Sequence, residues 1–166
     1  MAKDLDRYDF TGPETNDTKI KPLYEPRGAQ IEALCALEDT RAEGAQKALI
    51  QAATGIGKTY LAAFDSKPYK KVLFVAHREE ILRQAAVSFR NVRNSEDYGF
   101  FTGDEKCTDK SVIFVSVATL GKAEYLNEKY FAPDYFEYVV IDEFHHAVNN
   151  QYRKIVDYFH HSFYLD

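Results

Sequence analysis

The sequence predicts an α/β fold in which a parallel sheet lies between two layers of helices, a three-layer sandwich. Short apolar runs alternate with helix-like segments along the chain, which is the pattern of strands joined by helical crossovers. The runs are rich in branched and aromatic residues at consecutive positions, as expected for strands that are buried on both faces. A glycine-rich turn also joins the first run to a helix-like segment.

The elements follow one another in a regular order after a polar stretch, residues 1–21, which has no sustained apolar period and is expected to be a flexible arm. Residues 22–166 are expected to form one domain, since a chain of this length with 45% hydrophobic residues buries one core. The predicted strands are residues 48–51, 72–76, 112–117, 138–141 and 163–165. The predicted helices are residues 29–37, 60–64, 79–89, 122–129 and 152–159.

Charge and cysteine content exclude several classes of protein. The 26 acidic and 21 basic residues are mixed along the chain and give a net charge of −5, so the basic footprint of a dedicated DNA-binding domain is absent. Cys35 and Cys107 lack the spacing of a metal site or a CxxC pair. No signal peptide or membrane-length apolar run occurs. We therefore expect a reduced, cytoplasmic setting and no membrane partner.

Residues 52–59, AATGIGKT, form a phosphate-binding loop between a predicted strand and a predicted helix. Gly55 and Gly57 allow the backbone N–H groups to line a concave nest, and the following helix directs the positive end of its dipole at the phosphates. Lys58 adds a full positive charge, and the hydroxyl of Thr59 is a ligand for Mg²⁺. A chance glycine turn at a helix start is the alternative interpretation.

Two acidic residues, Asp142 and Glu143, directly follow the apolar run 139–141. Transfer of a phosphoryl group to water requires neutralised charge and an oriented water molecule. Asp142 offers a hard oxygen ligand for Mg²⁺, and Glu143 can accept the proton of the attacking water. We expect adjacent strands to bring Lys58 and Asp142 to one cluster of Mg²⁺ and phosphate, which predicts nucleotide hydrolysis. Without the phosphate-binding loop, Asp142 and Glu143 would fit the polar end of a strand equally well.

The same segments resemble motifs of the superfamily 2 helicases and translocases, DExH type, in the type I and type III restriction enzyme group. The resemblance covers nearly the whole chain from Tyr24 onward and implies the RecA-like P-loop fold of a first motor lobe. ATGIGKT resembles motif I, VAHREEILRQA (residues 75–85) motif Ia, residues 101–103 motif Ib, VSVATL (residues 115–120) the DNA-contacting element that follows, and IDEFHHA (residues 141–147) motif II. Arg27 and Gln30 match the R-x-x-Q element with which family members recognise adenine.

The resemblance implies an ATP-driven motor on nucleic acid, DNA in preference to RNA, as in restriction or repair systems. It also implies a longer parent protein, in which a second RecA-like lobe contributes arginines to the ATP. Loss of such arginines commonly costs about 10³ or more in rate. We therefore expect this lobe alone to bind ATP and Mg²⁺ but to turn over slowly.

The expected site residues fall into five groups. Those for ATP are Tyr24, Arg27, Gln30, Thr54, Gly55, Ile56, Gly57, Lys58, Thr59 and Tyr60. The catalytic residues are Lys58, Asp142 and Glu143, and the Mg²⁺ ligands are Thr59 and Asp142. His77, Arg78 and Thr119 are expected to contact nucleic acid, and family resemblance implies that His145 or His146 couples the two sites. Near Gln30 the chain departs from the family pattern, with Pro26 before Arg27 and Gly28 after it, which predicts weaker selectivity for adenine.

Some of these residues have plainer interpretations. His77 and Arg78 follow a predicted strand, where they could meet a phosphate or be solvated charges at a helix start. Thr119 could touch the sugar-phosphate chain or cap the predicted helix 122–129. The histidine pair of motif II could form only local hydrogen bonds. For the chain as a whole, the alternatives are a P-loop switch or kinase, and a nucleic-acid scaffold that does not hydrolyse ATP.

Overall fold

The structure is a computed structural model that describes residues 25–26, 28–48, 55–122, 124–142, 150–159 and 162–165. Within these ranges the strands are Lys47–Ala48 (β1), Val72–Ala76 (β2), Tyr98–Phe101 (β3), Val112–Ser116 (β4), Tyr138–Ile141 (β5) and Phe163–Leu165 (β6). The helices are Ala29–Ala42 (α1), Gly55–Asp65 (α2), Glu79–Arg93 (α3), Val117–Leu120 (α4) and Asn150–Tyr158 (α5).

The six described strands form one parallel sheet in the order β1-β6-β5-β2-β4-β3. Because all of them run in the same direction, their carboxyl ends lie along one edge of the sheet. The prediction that strands before Lys58 and Asp142 are adjacent is wrong, since β6 lies between β1 and β5. The two strands are thus separated by two strand spacings, about 10 Å.

Helices cover both faces of the sheet, which confirms the predicted three-layer α/β fold. Alternate residues of a strand face opposite sides. Val72 and Phe74 of β2 belong to the core formed with α1, α2 and α3, whereas Leu73 and Val75 belong to the core formed with α4 and α5. Every residue of β2 is buried, which explains why the central strands are apolar at consecutive positions rather than at alternate ones.

The predicted helix at residues 122–129 is wrong. The chain there makes a series of turns, and a short helix, α4, precedes them. Asn127 explains part of the difference, because its side-chain oxygen accepts from the N–H of Lys129 at 2.9 Å and its amide donates to the carbonyl of Glu124 at 2.8 Å. Such local bonds from asparagine compete with helical ones.

Strand β3 has no counterpart in the sequence prediction. It is four residues long and contains Gly99, and a glycine inside a strand weakens the sequence signal. The glycine is needed because a Cβ at this position would lie 2.3 Å from the sulfur of Cys107. Among the described strands β3 forms one edge of the sheet, and it carries the chain to the residues that resemble motif Ib.

Candidate functional site

Lys58 and Thr59 lie in the first turns of α2, which begins at Gly55, and both side chains are half-buried. The strand that precedes this helix in the chain is β1, so the described parts supply the strand and helix between which a phosphate-binding loop must lie. The first backbone N–H groups of a helix have no carbonyl partner within it, and its dipole favours anions there. This end of α2 therefore suits phosphate groups.

Asp142 is the first residue after β5 and lies at the carboxyl edge of the sheet. Its backbone N–H donates to the carbonyl oxygen of Val75 at 2.9 Å, and its side chain is half-buried. The registry of β2 and β5 pairs Val75 with Ile141. The aspartate is thus fixed beside the end of β2, on the edge to which β1 also points.

The donor set fits a magnesium ion. In phosphate sites Mg²⁺ keeps several waters and takes one or two protein oxygens together with the phosphates. The Thr59 hydroxyl and the Asp142 carboxylate are oxygen donors of this kind, and both belong to elements whose relevant ends reach the same edge of the sheet. Within the described ranges, no group of three or more histidine, cysteine or acidic side chains could hold a metal by itself.

Two further residues predicted to bind ATP belong to helices next to this edge. Gln30 is the second residue of α1 and is half-buried. Tyr60 packs against the core between the sheet and the first three helices. Its hydroxyl accepts a hydrogen bond from the side-chain amide of Asn91 on α3, at 3.4 Å.

The residues predicted to contact nucleic acid differ in their exposure. His77 and Arg78 directly follow β2 and are exposed, and Arg78 has the extended backbone of the residue that precedes a helix. Thr119, in contrast, lies inside α4 and is only 7% exposed. The idea that Thr119 caps a helix at residues 122–129 is wrong, because that helix does not form.

The remaining predicted site residues lie outside the described part of the chain. These are Tyr24, Arg27, Thr54, Glu143, His145 and His146. For Gly55, Ile56 and Gly57, the structure describes the helical backbone at the start of α2.

Sequence reasoning missed two arginines that hold the opposite end of α2. Arg41 of α1 pairs with Asp65, the last residue of α2, at 2.5 Å. Arg93 of α3 donates to the carbonyl oxygens of Ser66 at 2.8 Å and Tyr69 at 2.9 Å, and burial lowers the pKa of its guanidinium. The available signal was Asp65 itself, because an acid that ends an apolar helical stretch needs a partner when it is buried.

The sheet, the helix that starts in the glycine-rich segment and the aspartate after β5 define a P-loop nucleotide-binding domain of the RecA-like type. The sequence profile of the family described as type III restriction enzyme, res subunit, matches residues 23–166. The chain belongs to this family of helicase-type, ATP-dependent motor domains, and the resemblance to superfamily 2 helicases is confirmed.

Known proteins similar to this chain are consistent with that assignment. The chain is 29% identical over 153 residues to the type I restriction enzyme EcoAI endonuclease subunit of Escherichia coli, a match over 81% of this chain and 18% of that protein. It is 29% identical over 156 residues to the putative ATP-dependent helicase IRC3 of Saccharomyces cerevisiae, over 84% of this chain and 22% of that protein. The chain therefore spans about a fifth of the length of these relatives.

A solved structure supports the fold. A hypothetical ATP-dependent RNA helicase from Sulfolobus tokodaii superposes with a TM-score of 0.62 at 17% identity, over 84% of this chain and 49% of that one. At this identity the likeness concerns the fold alone. Among the described residues, no helix is both long enough and apolar enough to cross a membrane.

Proposed function

We propose that this chain is the ATP-binding lobe of a motor that hydrolyses ATP to move along DNA. The observation that carries the proposal is the common location of Lys58, Thr59 and Asp142. All three belong to ends of elements that meet at the carboxyl edge of one parallel sheet, which is where ligands bind in open α/β folds.

In the proposed ATP site, each of a few side chains has its own role. Lys58 offers a positive charge to the phosphates, next to the N–H groups at the start of α2. Thr59 and Asp142 would hold Mg²⁺, which when bound neutralises charge on the transferring phosphoryl group. Glu143 follows Asp142 in the chain and is the proposed acceptor of the proton from the attacking water.

The intervening strand β6 is compatible with this division. Lys58 and Asp142 need not touch, because in the proposed site a triphosphate and a hydrated Mg²⁺ ion would lie between them. Mg²⁺ gives up its water reluctantly, so an aspartate commonly reaches it through a water molecule. A separation of two strand spacings, about 10 Å between the strand axes, leaves room for such a cluster.

We assign the base of the nucleotide to the start of α1. Gln30 would hydrogen-bond the adenine, with Arg27 beside it in the R-x-x-Q element and Tyr24 available to stack on the ring. Only Gln30 of these three lies in the described part of the chain, in the first turn of α1. Support for this assignment comes from family membership and from the position of α1 against α2 in one core.

The nucleic-acid contact on this lobe is assigned chiefly to His77 and Arg78. Both are exposed at the end of β2, the strand that pairs with the strand of Asp142. A cation at the end of this strand can bind a backbone phosphate of the nucleic acid, whatever the base sequence. Thr119, at 7% exposure, can present only a small part of its surface. DNA is proposed over RNA because a restriction endonuclease subunit is among the relatives.

Full turnover is proposed to need a second RecA-like lobe. The chain spans only 18% and 22% of the two curated relatives described above, which leaves room for one. Arginines from that lobe would stabilise the charge of the transition state, a contribution commonly worth about 10³ or more in rate. His145 or His146 would connect the ATP site to the nucleic-acid path.

The test is linkage between the two ligands. Binding of labelled duplex DNA and of RNA of matched length is measured with and without ATP and Mg²⁺. We expect DNA to bind more tightly than RNA. We also expect ATP to change the DNA affinity by the same factor by which DNA changes the ATP affinity. Nucleotide binding that is indifferent to nucleic acid would favour a P-loop switch instead.

A further inference from the structure

A buried carboxylate joins three elements of the proposed ATP site at the end of the sheet opposite to the ligand. Asp65, the last residue of α2, is 5% exposed. One of its oxygens accepts hydrogen bonds from the guanidinium of Arg41 on α1 and from the hydroxyl of Tyr138 on β5, both at 2.5 Å. The three elements carry Gln30, Lys58 and Asp142 at or just beyond their opposite ends.

Arg41 is held by more than its ion pair. Its guanidinium lies over the ring of Phe163 on β6, 4.4 Å from the centroid, and 5.6 Å from the ring centroid of Tyr69. Stacking of this kind over aromatic faces favours arginine over lysine. Burial lowers the pKa of Arg41, but the bond to Asp65 and its charge outweigh burial and raise it overall. The guanidinium therefore stays charged and fixed between α1, α2 and β6.

The rest of α1 buries little apolar surface. Leu37 is its one buried residue in the described chain, and Leu34 is partly buried against the same core. Ile31, in its first turn, is 50% exposed. With so little apolar burial, the polar contacts of Arg41 are expected to contribute much of what sets the direction of the helix axis. Gln30 lies at the other end, roughly 16 Å away along the axis.

We propose that the Arg41–Asp65 pair is a positioning device for base recognition. It fixes the axis of α1 relative to α2, and so holds Gln30 at a set place beside a nucleotide whose phosphates lie at the start of α2. Arg41 touches no ligand; it acts through Gln30. The inference rests on the proposed ATP site. It makes the discrimination of adenine from other bases depend on a pair of residues that lies outside that site.

The test variant replaces both charges, Arg41→Met together with Asp65→Asn. Removing the arginine alone would leave a buried carboxylate without its cation, which is strongly destabilising. The amide introduced at position 65 can still accept from the Tyr138 hydroxyl. Glu38→Gln, an exposed change on the same helix, is the matched control, and Gln30→Ala shows the full effect of losing the base contact.

Dissociation constants for ATP and GTP, each with Mg²⁺, are measured by displacement of a fluorescent ATP analogue. Wild type and the Glu38 control should prefer ATP. The double variant should lose about fivefold or more of that preference, as expected for a coupling between separate positions, while its affinity for GTP is unchanged. Gln30→Ala should show the same pattern.

The outcomes separate this inference from the proposed function. If wild type binds neither nucleotide, the proposed function fails. If wild type binds both equally, the triphosphate site stands and the inference fails. A folded double variant with the wild-type preference, or one that weakens ATP and GTP alike, also overturns the inference. If the double variant does not fold, Arg41→Lys replaces it as the test variant. This change should lower the preference for ATP over GTP, because lysine loses the stacked geometry of the guanidinium. An unchanged preference would contradict the positioning role of the pair.

Discussion

Asp142 donates its backbone N–H to the carbonyl oxygen of Val75 at 2.9 Å. The aspartate proposed to hold Mg²⁺ is therefore tied to the strand whose next exposed residues are His77 and Arg78. A shift of Asp142 on nucleotide binding would reach the end of β2 through this backbone contact. We expect this contact to contribute, alongside His145 or His146, to the coupling of the proposed ATP and nucleic-acid sites.

Replacing Asp142 should weaken the dependence of ATP binding on magnesium. Asp142→Asn keeps the shape of the side chain but loses the charge that attracts Mg²⁺, so the enhancement of ATP affinity by Mg²⁺ should fall about tenfold or more. ATP titrations with Mg²⁺ and with EDTA measure this directly. Asp134→Asn, an exposed change in the loop before β5, is the control; an equal effect of both variants would refute the role given to Asp142.

Replacing Arg78 should weaken nucleic-acid binding without changing sequence preference. Arg78→Ala removes one exposed charge that is proposed to contact a phosphate, so the slope of log affinity against log salt should become shallower by about 1. The measurement is fluorescence anisotropy of labelled duplex DNA over a series of salt concentrations. Lys67→Ala removes an exposed charge from the turn after α2, at the other end of that helix, and should leave the slope unchanged. A slope that changes equally in both variants contradicts the assignment.

Gly121 should be needed for stability, because α4 and α5 approach each other closely there. A Cβ at this position would lie 2.7 Å from Cβ of Gln151 on α5 and 2.8 Å from the carbonyl oxygen of Val117. Gly121→Ala should lower the free energy of unfolding by about 1–3 kcal/mol, the usual cost of overpacking. Urea unfolding measures the change.

Gly103 provides the control for that experiment, since a Cβ at Gly103 would meet no atom within 4 Å. Gly103→Ala should therefore cost much less than Gly121→Ala. Two variants of equal stability would show that the close approach of α4 and α5 relaxes without cost.

Both the presence and the end residues of several strands could be predicted from the sequence. Residues 72–76, 138–141 and 163–165 are strands as predicted, because each is a short apolar run in a sheet covered on both faces. The predicted strand 112–117 ends one residue earlier, at Ser116, because α4 begins at Val117. The errors occur where local chemistry overrides composition, as at Gly99 in β3 and at Asn127 in the turns after α4.

The site could be predicted in part. Sequence spacing and motif context placed Lys58 and Asp142 at strand ends, and the structure brings their elements to one edge. The position of β6 between their strands could not be predicted, because strand order depends on how the whole chain packs. The Arg41–Asp65 pair was missed for a similar reason, since the two residues are far apart in sequence and meet only when α1 packs on α2.

The most direct test of the central claim is a titration of the chain with a fluorescent ATP analogue in the presence of Mg²⁺, for wild type, Lys58→Ala and Lys67→Ala. We expect saturable binding by wild type and by the Lys67 control. Lys58→Ala should lose at least about tenfold in affinity, since that variant removes the charge proposed to lie next to the phosphates. Equal affinity in all three proteins, or no saturation of wild type at millimolar nucleotide, would contradict the central claim.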